Sequence, residues 1–155
     1  MPMSIFFNRL GLGTKIILTF VWLAFNTGLA RSEGVEFKPL DLVLAQEQSV
    51  NILYYTLKRC VAAYANLQLI FGDEPGLEEE NEKVVESQAK VLAYILGEFA
   101  PKNGISTTPD ALVQSIETIL DLYMENTEDN YAATGNMLSD FLKADVRICN
   151  ELLSN

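Results

Sequence analysis

Apolar residues recur along the chain at spacings of three and four, and no stretch beyond the first thirty residues alternates as a strand would. Val50, Leu53, Leu57, Cys60, Tyr64, Leu67 and Phe71 form an unbroken seam of this kind. The helix carrying it is predicted to start between Leu40 and Leu44, after Pro39, and to stop at Gly72-Asp73-Glu74-Pro75-Gly76. A second stripe, Val85, Leu92, Ile95, Leu96 and Phe99, predicts a helix over Glu79 to Ala100, closed by Pro101-Lys102-Asn103-Gly104.

Thr108-Pro109-Asp110 then spells a helix start. A hydroxyl can accept from the free amides, proline sits where its missing donor is harmless, and an acid meets the positive dipole end. Leu112, Val113, Ile116, Ile119, Leu120 and Tyr123 follow as its inner face. A last helix is expected from Thr127 to Asp129 onward. It places Tyr131, Leu138, Phe141, Leu142, Ile148, Cys149 and Leu152 toward the core, with Gly135 inside it at a cost of about 1 kcal/mol. Four such helices with short connections predict an all-α fold, a small antiparallel four-helix bundle over residues 39–155.

The first thirty residues follow a different rule. Arg9 and Lys15 precede a charge-free run from Ile16 to Phe25, and Gly28-Leu29-Ala30 offers small residues where a signal peptidase reads. Residues 1–30 are therefore expected to be a cleavable signal helix, cut between Ala30 and Arg31, with 31–38 a flexible leader. The alternative is an anchor held in the membrane by residues 16–30, but only about fifteen mostly apolar residues follow Lys15, against the roughly twenty that span a bilayer core. Export machinery and signal peptidase are thus the first partners implied, with a periplasmic or secreted destination and no stable membrane insertion after cleavage.

Cleavage changes the charge. The full chain carries a formal −10; removing Arg9 and Lys15 and no acid leaves 125 residues at −12. Such a surface repels nucleic acid and favours a basic protein as partner. Two cysteines, Cys60 and Cys149, both lie on predicted inner faces, and an exported chain with two favours one disulfide. The predicted helices do not make it easy. If residue 71 lies level with residue 129, Cys149 stands level with about residue 51, about 13 Å from Cys60, whereas a disulfide tolerates about 7 Å between α-carbons. A bridge and a pair of buried thiols both remain open on the sequence.

Candidate chemistry is sparse. The chain has no histidine, and C-x-x-C, C-x-x-C-H and glycine-rich phosphate loops are missing from the part beyond the signal. No catalytic residue, cofactor or metal site is assigned, and the reading is non-enzymatic. Glu78-Glu79-Glu80 with Glu82 and Glu86 is read as a solvated first turn rather than a calcium site, because adjacent helical glutamates point to different sides. Asp145 falls near the apolar stripe of the last helix, and Lys58 or Arg59 is its expected partner; these three make a speculative polar site. The functional expectation is an inhibitor- or immunity-like bundle that binds a basic protein, the other candidate being a carrier of a small molecule or divalent cation.

Overall fold

The computed structural model describes residues 37–72 and 74–154, so the predicted signal, its cleavage point and most of the leader lie outside the described residues. Those described are helical, with no strand among them. In chain order they form α1 (Leu40–Gln46), α2 (Val50–Phe71), α3 (Glu78–Tyr94), α4 (Pro109–Thr134) and α5 (Asp140–Leu153). A π-helical turn, Ile95–Phe99, and a last turn, Ala100–Lys102, continue α3.

The predicted first helix is divided. Ser49 takes an extended conformation and its side chain accepts from the Ile52 amide, so a new helix starts at Val50 and the preceding turns become the separate α1. The widened turn in the second helix has a visible cause. Pro101 cannot donate to the carbonyl four residues back and its ring crowds that carbonyl; the chain meets this with an Ala100 amide bonded to Ile95. The helix then closes through a positive-φ Gly104 (66°) and an Ile105 amide donating back to Ala100. Thr108 caps α4 as predicted, accepting from Ala111, with Pro109 at the first helical position.

The clearest departure from expectation lies at the next boundary. Thr127 to Asp129 is mid-helix, because α4 runs on to Thr134. Gly135, expected inside a helix, ends one: its φ of 73° is left-handed, and its amide donates to Tyr131. Asn136 then holds the Leu138 amide through its side chain, and Ser139 caps α5 by accepting from Leu142 while donating to Asn126.

This later start for α5 sets the register of the whole domain. Leu67 and Phe71 of α2 line one cleft with Leu138 and Leu142, so residue 71 lies level with the start of α5 near 138 rather than with 129. Continued antiparallel, that register brings Cys60 beside Cys149. The two form a disulfide with α-carbons 5.4 Å apart. The nine-residue offset expected from the sequence is the separation between residue 129, taken there as level with residue 71, and residue 138, which lies level with it in the structure.

Helix α2 is the hub. From Thr56 to Leu67 every residue except Lys58 and Ala65 is buried, a helix enclosed on nearly all sides rather than along one stripe. Ala62 and Ala63, both fully buried, leave room for the neighbours to approach. α3 lies antiparallel to it, with Tyr54 stacked on Phe99 at one end (centroids 6.2 Å apart) and Gln68 bonded to Gln88 nearer the other. α4 runs in the same sense as α2, tied by Arg59 to Tyr123 and by Asn66 to Thr127. Of the predicted inner residues, Val50, Val85, Leu96, Val113, Tyr131 and Leu152 are instead exposed, while Val91, outside the predicted stripe, is buried.

Candidate functional site

Two charges are buried in the core of the domain. Arg59 on α2 and Asp145 on α5 form an ion pair through Nη2 and Oδ2, and neither side chain is more than 1% exposed. The pair is built into a network of further groups. Arg59 Nε donates to the Tyr123 hydroxyl (3.3 Å) and Nη1 to the Lys38 carbonyl (2.5 Å). The Tyr123 hydroxyl in turn donates to Asp145 Oδ2 (2.5 Å). The other carboxylate oxygen, Oδ1, accepts from the Leu40 amide (2.7 Å).

Each strand of this network answers a local need. Leu40 opens α1, where helix amides lack intrahelical acceptors, and Pro39 has no side chain able to cap them; Asp145 does so from across the domain. Arg59 lies among the rings of Tyr55, Tyr123 and Phe141, each 5.5 to 5.8 Å from its guanidinium carbon. Desolvation works against its charge, but the Tyr123 hydroxyl oxygen that accepts from it and the Asp145 carboxylate outweigh this and hold Arg59 above its ordinary value. Burial pushes the Tyr123 phenol well up and the Asp145 carboxylate adds to it, so Tyr123 is a proton donor in the folded protein.

The speculative polar site thus divides. Arg59 and Asp145 are together, whereas Lys58 faces away, its Nζ 4.8 Å from the Tyr54 ring centre. Sequence reasoning missed Tyr123, read only as core, and the Leu40 amide. The signal that did point to the pair was an anion near the apolar stripe of the last helix, with the adjacent cations Lys58 and Arg59 on the first as its available partners. Closed to solvent, the cluster fastens α1, α2, α4 and α5 and offers no face to a substrate.

Accessible concavities lie elsewhere. One cleft of about 650 Å³ runs between α2 and α5, with Leu67, Phe71, Leu142 and Val146 in its wall. A second, of about 590 Å³, lies over the disulfide between Leu53, Leu57, Val91, Phe99 and Leu152. Their walls are apolar, and the cations at their rims are already paired: Lys90 with Glu86, Lys143 with Asp140 and Arg147 with Glu151. The glutamates opening α3 are exposed, Glu79 pairs with Lys83, and among the described residues no three acidic or cysteine side chains converge to hold a metal ion. No helix among those residues is long and apolar enough to cross a membrane. No protein family, curated protein or solved structure matches the chain.

Proposed function

We propose that the protein is an exported, non-enzymatic helical domain, an antiparallel four-helix bundle behind a cleavable signal helix, that acts by binding a basic protein in an inhibitor- or immunity-like manner. The observation that carries the reading is the Cys60–Cys149 disulfide, since a bridge of this kind persists in oxidising compartments and is rare in the cytosol. It agrees with the arrangement of Arg9, Lys15, the apolar run from Ile16 and the small residues before Arg31. The formal −12 of residues 31–155 gives the class of partner, because long-range attraction selects opposite charge.

Intact mass of the protein recovered from its host, with and without reductant and alkylation, tests the export half. Loss of thirty residues together with two protons is expected; retention of the full mass would place the protein at the membrane through residues 16–30. For the binding half, association with the partner must weaken as salt rises from low to physiological ionic strength, and a salt-independent complex would count against it.

A second reading, a small-molecule carrier, draws on the apolar cleft of about 590 Å³, a volume within the range of ligand sites. Displacement of an environment-sensitive apolar dye at micromolar concentration would favour it. The divalent-cation version predicts a melting temperature that responds to calcium and EDTA.

A further inference from the structure

Helix α4 carries two patterns on one outer side. Across its 26 residues it holds Asp110, Glu117, Asp121, Glu125, Glu128 and Asp129 but no lysine or arginine. Its inner face is Leu112, Ile116, Ile119 and Tyr123, all buried. On the outer side Val113, Met124 and Tyr131 are 48%, 37% and 53% exposed, and Leu120 is half-buried between them.

Single exposed apolar residues are ordinary, but these are in line. Positions 113, 117, 120, 124, 127 and 131 follow one another at spacings of four and three in strict alternation, the rhythm by which one helix presents a seam to another. The seam reads Val, Glu, Leu, Met, Thr, Tyr and extends about 27 Å along the helix, with Thr127 at its inner edge, where its hydroxyl accepts from Asn66 of α2. Asp121 and Glu128 each follow a seam position by one residue, the place where two-stranded helical pairs set partner charges. Glu117 lies within the seam, so a helix docked there must bring a cation to it or bury an unpaired carboxylate.

We propose that this outer face of α4 is the docking surface for a cationic amphipathic helix of the partner protein. The inference rests on the basic-partner reading above and narrows it to one face and one kind of element. Apolar residues of the incoming helix pack on Val113, Leu120, Met124 and Tyr131, while lysines or arginines beside them meet Glu117, Asp121 and Glu128. Phosphate-bearing partners are disfavoured by the same row of acids.

The test uses the disulfide-bonded protein and two synthetic lysine-leucine peptides of about twenty residues. In one the leucines follow the four-three spacing; the other has the same composition scrambled so that they face all sides. Affinity is read by fluorescence anisotropy and the site by amide chemical-shift mapping. The ordered peptide is expected to bind at least about tenfold tighter than the scrambled one and to shift amides along 113–131. Met124→Lys and Glu117→Lys, both at exposed positions, are each expected to weaken binding about tenfold with an unchanged helical spectrum, whereas Glu79→Lys with Glu80→Lys on α3 changes it less than about twofold. Equal binding of the two peptides overturns the proposal. Shifts confined to the α3 glutamates overturn it too, but leave a basic partner in place; no binding of either peptide overturns both readings.

Discussion

Asp145 holds the Leu40 amide at 2.7 Å across 105 residues of chain, while its second oxygen faces Arg59. One carboxylate therefore serves as helix cap, as counter-ion and as acceptor for the Tyr123 hydroxyl.

Removing one member of that network is expected to cost far more than removing the pair. Asp145→Ala strands a buried guanidinium and uncaps α1, and should lower unfolding free energy by about 3–5 kcal/mol. Arg59→Met with Asp145→Leu, which leaves no charge to strand, should recover a large part of it. Urea denaturation of Arg59→Met, Asp145→Leu and the double variant checks this; additive losses would show that the charges are not coupled.

The disulfide closes a loop with a sequence separation of 89. Replacing both cysteines by alanine should reduce stability by about 4–5 kcal/mol, chiefly by freeing the unfolded chain. Denaturant midpoints of the oxidised, reduced and double-alanine proteins give the comparison, and a reduced protein as stable as the oxidised one would refute it.

High pH should unfold the domain through its buried phenols. Burial raises Tyr64 from 10.0 to about 12, and Tyr123 is raised in the same direction. The folded state thus keeps protons that the unfolded state has released. This stabilisation is fully present below about pH 10 and is lost as pH climbs through about 12. Tyrosinate absorbance followed beside helical circular dichroism should show these two phenols ionising only as helicity falls. Tyr64→Phe should reduce the alkaline loss, although it also removes the hydrogen bond to Asn150.

Gly135→Ala should destabilise by about 1–2 kcal/mol even though an added Cβ meets nothing within 4 Å. The cost is one of conformation alone, φ being 73°. Asn, which tolerates the left-handed region better, should cost less, and thermal melts of the two variants would rank them.

Local chemistry made several boundaries legible. Thr108-Pro109-Asp110 marks its helix start, and Pro101 to Gly104 its stop, because caps and breakers act through neighbouring backbone groups. Gly135 was ambiguous for a physical reason: a lone glycine in an apolar rhythm fits either a weakened helix or a left-handed cap, and only the chain's path decides. That ambiguity propagated into the cysteine register. The enclosure of α2 was hidden as well, since Ala62 and Ala63 are buried because helices lie on both sides of them, and a one-sided stripe carries no trace of that. Asp145 stood out as a charge among apolar neighbours, but its bond to a backbone amide at the far end of the domain depends on an acceptor need that no side chain records.

The bridge between residues 60 and 149 also alters how the molecule would wear. Peptide bonds in the connections at 103–108 and 135–137 lie inside the covalent ring, so a protease that cuts one of them opens the ring without releasing a fragment. The two pieces stay tethered at high effective concentration and can keep their packing. On a gel such a nicked molecule runs as one chain until thiol is added, and cleavage outside the ring is the only kind that sheds mass.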